Sequence, residues 1–305
     1  MILCAGEALI DMLPRESASG EACFAPYPGG AVFNTAIALG RLGQRVGFFC
    51  PLPDDLFGAQ LRAALEASGV DHSLSPAVDR PGTLAFVTLT DGQARYAFYD
   101  RGTALRDLTA AELPRLPADV TALFFGGISL VGDPCGAAFQ QLCAGAGDRL
   151  VMLDPNIRPG FIRDAAGYRA RLGAMIAQAD IVKLSDEDLH WLMGPGEIAA
   201  LARAVQAQGP QIVIITEGAK GARAFSVLGE THAQARAVTV VDTVGAGDTF
   251  NAGFLAGLGR IGALSKRGVA ALGAEALQEA LALGARAAAV TVSRAGANPP
   301  WAREI

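Results

Sequence analysis

Residues 241–251 read Val-Asp-Thr-Val-Gly-Ala-Gly-Asp-Thr-Phe-Asn, and they join two apolar segments. The segment before them, 237–241, has the β-branched composition of a buried strand, and the segment after them, 250–258, has that of an apolar helix. Gly245-Ala246-Gly247 is therefore predicted to be a strand-to-helix turn. Two glycines let a ligand approach the backbone closely, and the free N–H groups of a first helical turn form an anion site.

A carboxylate, Asp248, is placed in the same turn. An acid beside an anion site suits phosphoryl transfer, because the turn can hold the phosphoryl group while the carboxylate takes a proton from the attacking hydroxyl. The alternative is a first-turn acid that only stabilises the helix end. The turn alone leaves both interpretations open.

Composition limits the function classes. With 305 residues, 51% hydrophobic and 18% charged, the chain can form a densely packed enzyme-like globule of one large or two smaller domains. A net charge of -5 without a basic cluster argues against a nucleic-acid partner. The five cysteines lack C-x-x-C spacing, so neither zinc nor a disulfide framework is indicated. Without a membrane-length apolar run or a leader-like N-terminus, we expect a cytoplasmic protein with no membrane partner.

Strand and helix patterns alternate after Asp107, which predicts a mainly parallel sheet with ligands at the carboxyl ends of its strands. Polar segments follow three of these strands, at 154–158, 183–188 and 216–221. Each has a structural alternative: an Arg–Asp pair for the first, an ordinary helix start for the second, and a hairpin turn for the third.

Two further segments point to a ligand site. Residues 83–100 alternate around Asp91-Gly92, which predicts a hairpin that interrupts the strand–helix series and forms a lid, with Phe86, Tyr96 and Phe98 on one apolar face. Gly29-Gly30 precedes a helical pattern in which Asn34 offers both a donor and an acceptor. Asp11 lies in an apolar run, where an acid needs a partner or a task.

Asp242 to Asp248 matches the D-T-x-G-A-G-D signature of the ribokinase-like (phosphofructokinase B, PfkB) carbohydrate kinases in every fixed position. The resemblance covers residues 3–298 and implies a single kinase domain over 1–305. It implies a three-layer α/β fold with a mainly parallel central sheet and a small β-sheet lid from about 8–28 and 84–100. The implied reaction transfers the γ-phosphoryl group of ATP to a primary hydroxyl of a sugar, with Mg²⁺ as cofactor and K⁺ as a further candidate.

The resemblance also implies roles for individual residues. Asp248 corresponds to the catalytic base, and Gly245, Ala246 and Gly247 to its anion hole. The sugar site corresponds to Asp11, Gly29, Gly30, Asn34, Arg101, Asn156 and Arg158. The ATP site corresponds to Lys183, Thr216, Gly218, Gly221, Gly245, Gly247 and Asn251.

The metal site is where the sequence departs from the family. Ser185 and Asp188 stand at the first and last positions of the family's N-x-x-E motif. Asp188 and Glu187 are the candidates for Mg²⁺, held through water, and the sequence leaves open which of the three acids Asp186, Glu187 and Asp188 serves the metal. Asp242 and Val244 are the candidates for a monovalent cation.

The substrate is indicated by two segments. Tyr99 to Ala104 and the D-x-N-x-R pattern at 154–158 are most similar to the fructokinase branch of the family, so D-fructose is the leading acceptor. 2-Keto-3-deoxygluconate, ribose and nucleosides remain alternatives, and a catalytically silent sugar or nucleotide sensor is the non-enzyme alternative. A dehydrogenase is disfavoured, since no G-x-G-x-x-G follows the first strand. Lid strands often pair between subunits in this family, which implies a homodimer.

Overall fold

The computed structural model describes residues 1–90 and 93–305, and the side chains of these residues except 88–90 and 93–96. The predicted Asp91-Gly92 turn and the side chain of Tyr96 therefore lie outside the described residues. The described strands are β1 (Ile2–Ala5), β2 (Leu9–Glu16), β3 (Ala22–Gly29), β4 (Val46–Phe49), β5 (Leu52–Pro53), β6 (Ala77–Val78), β7 (Thr83–Thr90), β8 (Gln93–Tyr99), β9 (Ala122–Gly126), β10 (Leu150–Asp154), β11 (Ile181–Ser185), β12 (Ile212–Thr216), β13 (Ala222–Ser226) and β14 (Gly229–Ala233).

The described helices are α1 (Ala31–Arg41), α2 (Leu56–Ala67), α3 (Cys135–Ala144), α4 (Ala165–Ile176), α5 (Asp186–Met193), α6 (Ile198–Gln206), α7 (Ala246–Arg260), α8 (Lys266–Ala270) and α9 (Ala274–Val292). Short 3₁₀ turns include residues 127–130 and 218–220. Two helices, α1 and α7, begin at the site described below.

The large sheet has eight strands in the order β14-β13-β12-β11-β10-β9-β1-β4. The six strands from β12 to β4 run parallel, and β13 and β14 are antiparallel to their neighbours. Its central strands are buried and mostly apolar, because helices cover both faces of a parallel sheet, and β11 carries the buried Lys183. This is the predicted fold class, and the carboxyl ends of the parallel strands meet at one edge.

A second sheet has four strands in the order β3-β2-β7-β8, all within or next to the segments predicted to form the lid. The prediction that Phe86 and Phe98 share a face is wrong. Phe86 pairs with Ala97 and Phe98 pairs with Ala85, so the two rings point to opposite faces of the sheet. Phe86 contacts Phe24 on one face, and Phe98 packs on Phe161 on the other.

Helix α7 lies close against α9. A Cβ atom on Gly253 would come within 2.8 Å of the Gly284 Cα atom, and one on Gly257 within 2.7 Å of the Ala280 Cα atom. The glycines of the apolar run after the turn therefore permit two helix backbones to touch, and this contact fixes the direction of α7 beneath the site.

The strand predicted for 237–241 is wrong. These residues form no strand and are exposed; Val240 and Val241 each keep 60% of their surface accessible. The Val241 N–H group donates to the Val292 carbonyl over 2.8 Å, but no neighbouring strand within the described residues pairs with the segment. β-Branched composition favours a strand only where a sheet edge is available, so the turn at 245–247 joins a surface loop to α7.

Candidate active site

A cavity of about 530 Å³ lies between the four-stranded sheet and the carboxyl edge of the large sheet. Most of the residues predicted for the site line it: Asp11, Gly30, Asn34, Asn156, Arg158, Lys183, Thr216, Gly218, Val244, Gly245, Ala246, Gly247 and Asp248. Asp186, Glu187 and Asp188 also line it, as does Phe98 of β8. The fold therefore brings residues from widely separated parts of the chain, from Asp11 to Asp248, to one cavity.

The glycine turn has the geometry of an anion site. Gly245 precedes α7 with a φ of 76°, and a Cβ atom there would lie 2.8 Å from the Ala297 Cβ atom. Ala246 and Thr249 donate their backbone N–H groups to Thr243 and Gly245. Between them, the N–H groups of Gly247 and Asp248 have no acceptor among the described residues, so they are available to a ligand at the positive end of a helix.

Asp248 is buried in the first turn of α7, and its carboxylate faces the cavity. Asn34 Nδ2 donates to Oδ2 over 2.9 Å, and Asn156 Nδ2 donates to Oδ1 over 3.4 Å. Burial raises the pKa of Asp248 to about 7; Asp154 contributes to the rise, while the Asn34 hydrogen bond and Lys183 oppose it. The carboxylate accepts no backbone N–H of its own helix among the described bonds, unlike a capping acid.

The first backbone N–H groups of helix α1 donate to the carboxylate of Glu7. Glu7 Oε1 accepts from the backbone N–H of Ala31 over 2.8 Å and of Val32 over 3.4 Å, and Oε2 accepts from Ser129 over 3.2 Å. A Cβ atom on Gly127, whose φ is 66°, would overlap the Glu7 carboxylate. Glu7 therefore ties the start of α1, which carries Asn34, to the turn after β9.

Sequence reasoning did not identify Glu7 as a site residue. The sequence does offer a signal, because Glu7 is an acid within the apolar N-terminal segment, and a carboxylate buried there needs several hydrogen-bond donors. Burial raises the pKa of Glu7, although the backbone hydrogen bonds work in the opposite direction.

Asp11 lies on β2 at the lid side of the cavity. Among the described residues its carboxylate has no hydrogen-bond donor, and burial raises its pKa to about 6. Gly29 pairs with Leu9 in the β2–β3 ladder, two residues from Asp11 along β2, and a Cβ atom on Gly29 would overlap Asp11 Oδ2. Gly29 does not line the cavity but makes room for the carboxylate that does.

A cluster of buried polar side chains lies beneath the glycine turn. Lys183 Nζ and Asn251 Nδ2 both donate to Asp154 Oδ2, over 3.0 Å and 2.7 Å. Burial alone would lower the pKa of Lys183, but the charges of Asp154 and Asp188 outweigh it and raise the pKa. Asn251, predicted for the ATP site, is fully buried and contacts Asp154 instead of lining the cavity.

Two of the predicted metal residues, Asp188 and Asp242, use their carboxylates within the protein. Asp188 accepts from the backbone N–H of Ile157 over 2.9 Å and of Ser185 over 3.2 Å, which makes it part of a capping box at the start of α5. Asp242 accepts from Val244 over 3.0 Å and from Gly296 over 2.9 Å. Within the described residues, no group of three or more His, Cys, Asp or Glu side chains is arranged to hold a metal.

Two predicted residues lie elsewhere. Arg101 is exposed and lines a neighbouring cavity of about 480 Å³ with Arg163 and Arg171. Gly221 has a φ of 95°, and a Cβ atom there would overlap the Ala233 carbonyl oxygen. Glycine is therefore required at position 221 by the β12–β13 connection. This agrees with the hairpin turn that was the structural alternative for residues 216–221.

Comparisons with known proteins identify relatives over nearly the whole chain. The model of the pfkB family carbohydrate kinases matches residues 1–303. A fructokinase of Rhizobium leguminosarum bv. trifolii is 53% identical over 279 residues, which cover 91% of this chain and 86% of that protein.

Solved structures agree with this similarity. A fructokinase from Xylella fastidiosa with bound ATP superposes with a TM-score of 0.87 at 27% identity, covering 97% of this chain and 93% of that one. An aminoimidazole riboside kinase from Salmonella enterica, complexed with aminoimidazole riboside and an ATP analogue, superposes with a TM-score of 0.81 at 26% identity, covering 97% and 94%. Within the described residues, no helix is both long enough and apolar enough to cross a membrane.

Proposed function

The chain belongs to the pfkB family of carbohydrate kinases, and from this premise we propose that it transfers the γ-phosphoryl group of ATP to a primary hydroxyl of D-fructose. The chain is an ATP-dependent sugar kinase. Identity of 53% with a fructokinase supports fructose as the acceptor. The Asp11 carboxylate lines the cavity without a donor among the described residues, which supports a polyhydroxylated ligand, because an acceptor-only group binds hydroxyls.

The main support for this reaction is the position of the Asp248 carboxylate beside the Gly247 and Asp248 N–H groups, which have no acceptor among the described residues. In our proposal Asp248 accepts the proton of the attacking hydroxyl, and its pKa of about 7 suits that task near neutral pH. The N–H groups of Gly247 and Asp248 stabilise the negative charge on the phosphoryl oxygens. Asn34 and Asn156 hold the carboxylate in place.

The sugar and the nucleotide occupy opposite ends of the cavity in this proposal. Asp11, Gly30, Asn34, Asn156 and Arg158 line the sugar end. The nucleotide end is lined by Lys183, Thr216, Gly218, Gly245 and Gly247. The glycines at three of these five positions leave room for phosphates, and the buried Lys183 ammonium supplies positive charge.

Near Asp186, Glu187 and Asp188, the cavity suits Mg²⁺ only as an ion that binds together with the nucleotide. Both oxygens of Asp188 are occupied by backbone donors, and no cluster of three acids is arranged around a metal position in the described residues. Mg²⁺ keeps several waters and binds substrate phosphates, so the exposed Glu187 and its neighbour Asp186 could hold such waters. The bound ion would neutralise phosphate charge. A K⁺ requirement, proposed at Asp242 and Val244, is tested by exchanging K⁺ for Na⁺ in the assay.

The acceptor is tested by ADP release from ATP with a panel of D-fructose, D-ribose, 2-keto-3-deoxygluconate and a purine riboside. We expect the highest kcat/KM with fructose, and NMR of the product should show phosphate on a primary carbon. Turnover of another sugar without turnover of fructose would overturn the acceptor but retain the kinase. ATP and sugar binding without any ADP release would favour a sensor.

We also propose a homodimer formed through the outer face of the lid. Phe24 and Tyr99 keep 42% and 63% of their surfaces accessible there and stack edge-on against Phe86. Exposed aromatic clusters are commonly covered by a partner. Light scattering should give the mass of two chains, and Phe24→Glu should give one. Val227→Glu, at an apolar side chain that is 88% exposed on another hairpin, is the control. A monomeric parent protein would contradict the dimer.

A cytoplasmic location is the remaining part of the proposal. All five cysteines are free, and four of them are buried. Unpaired thiols are typical of a reducing compartment. Fractionation of cells followed by immunodetection would test the location.

A further inference from the structure

Asp154 accepts hydrogen bonds at the centre of the buried polar cluster beneath the glycine turn. Asp154 is the last residue of β10 and exposes 1% of its surface. Its carboxylate accepts three hydrogen bonds: from Lys183 Nζ over 3.0 Å, from Asn251 Nδ2 over 2.7 Å and from the Asn156 backbone N–H over 3.2 Å. Two of these donors belong to residues that line the cavity.

The bond to Asn156 supports an unusual backbone conformation. Asn156 has a φ of 45°, and it is the non-glycine residue with positive φ among the described residues. That conformation is sparsely populated by residues with a side chain, so local hydrogen bonds must favour it. From this conformation the Asn156 amide reaches Asp248 Oδ1. Asp154 therefore acts on the Asp248 carboxylate through a single intervening residue.

The bond to Lys183 fixes a positive charge under the turn. Lys183 is 3% exposed, and its Nζ atom lies 3.1 Å from the position that a Cβ atom on Gly247 would occupy. Within the described part of the chain, Asp154 is the carboxylate with which the ammonium forms an ion pair. A buried ammonium without a partner is strongly unfavourable, so Asp154 decides where the charge lies.

We propose that Asp154 is a positioning residue for phosphoryl transfer, which holds the Lys183 ammonium under the glycine turn and the Asn156 amide against the Asp248 carboxylate. The proposal rests on the proposed function, since it assigns a partner to the catalytic base. Asp154 does not line the cavity. Its effect is expected on the chemical step and on the ionisation of Asp248, with little effect on sugar affinity.

The test is Asp154→Asn in the full chain, with kcat and KM for fructose measured by ADP release across pH 5 to 9. Misplaced catalytic groups lose about 10²-fold in rate, so we expect kcat to fall by about 10- to 10²-fold with the fructose KM little changed. The acid limb of the rate profile should move to lower pH. The charge of Asp154 disfavours ionisation of Asp248, whereas the charges of Lys183 and Arg158 favour it and remain in the variant.

Asp180→Asn is the matched control. Asp180 is also a buried acid, and it accepts from the Val151 backbone N–H over 2.8 Å and from Gln211, but it contacts neither Lys183 nor Asn156. A structural role alone predicts that both variants lower the melting temperature without moving the acid limb. An Asp154→Asn enzyme with the parent kcat and parent acid limb would overturn the proposal. So would a loss of kcat that only follows the melting temperature in both variants.

A second variant covers the case in which Asp154→Asn does not fold. Asn156→Gly suits the positive φ and removes only the amide. We expect a similar loss of kcat, and full activity would overturn the proposal. Failure of the proposed function is recognised separately, because the parent protein would then not phosphorylate the sugar or Asp248→Asn would stay active.

Discussion

Replacing Asp248 with Asn separates proton transfer from ligand binding. The shape of the side chain is preserved, and its remaining oxygen can still accept from Asn34 Nδ2, which lies 2.9 Å from Oδ2 in the parent. The new NH₂ group would face Asn156 Nδ2, which lies 3.4 Å from Oδ1, but a half-turn of the Asn156 amide presents its oxygen instead. We therefore expect the fold, the glycine turn and both binding ends of the cavity to persist.

The magnitude follows from what the variant lacks. An amide cannot accept the hydroxyl proton, and positioned general bases contribute about 10²- to 10⁴-fold, or about 3 to 5 kcal/mol of activation free energy. At pH 8 the parent carboxylate is mostly ionised, because its pKa is about 7. The loss measured there reflects the base itself. The N–H groups of Gly247 and Asp248 remain, so some activity above the uncatalysed rate should survive.

The assay measures kcat by coupled ADP release at pH 8, beside calorimetric titration of fructose and of an ATP analogue on the same preparation. Asp55→Asn is the control, because Asp55 caps α2 by accepting from the Phe57 and Gly58 N–H groups and should tolerate the change. Near-normal kcat in Asp248→Asn would remove the catalytic-base role. A variant that fails to fold, beside a folded Asp55→Asn, would favour a structural role for Asp248.

Three further results are expected. Below pH 7 the kcat/KM for fructose should fall about tenfold per unit, because Asp248 must lose its proton before it can accept another and its pKa is about 7; a flat pH profile would contradict this. Gly29→Ala should raise the fructose KM about tenfold or more, because its Cβ atom displaces the Asp11 carboxylate; an unchanged KM would remove Asp11 from the sugar site. Glu7→Ala should cost at least about 2 kcal/mol of unfolding free energy in denaturant titrations, since it leaves the partly buried N–H group of Ala31 and the buried N–H group of Ser129 without the Glu7 acceptor.

The last two substitutions have matched controls. Gly160→Ala adds a Cβ atom into open space at a residue without positive φ, so the fructose KM should not change. Glu16→Ala removes an exposed acid of the same sheet as Asp11, and its effect should stay within about 0.5 kcal/mol.

The sequence predicts those parts of the site that are determined by residues close together in the chain. The turn at 245–247 and the helix after it are specified by glycine, a small residue and an apolar run within one segment. The start of α1 follows in the same way from Gly29-Gly30 and the helical spacing after it. Parallel topology then brings the polar residues after β10, β11 and β12 to one edge, as predicted.

The parts that the sequence does not predict depend on distant partners. Glu7 gains its meaning from Ala31 and Ser129, which are 24 and 122 residues away. The segment 237–241 has strand composition, but whether a sheet edge lies beside it is decided by the whole chain. Arg101 follows the lid strands, and its distance from the cavity depends on how the lid sits over the large sheet.

The division of the site between two sheets has a consequence for how such enzymes diversify. The phosphoryl end is built on the large sheet and α7, whereas Asp11 and Phe98 come from the four-stranded sheet. Substitutions in that smaller sheet can therefore alter which acceptor fits without disturbing the residues that move the proton and hold the phosphates. Acceptor preference can therefore change through the smaller sheet, although Asn34, Asn156 and Arg158 also line the sugar end, while the residues that carry out phosphoryl transfer stay on the other module.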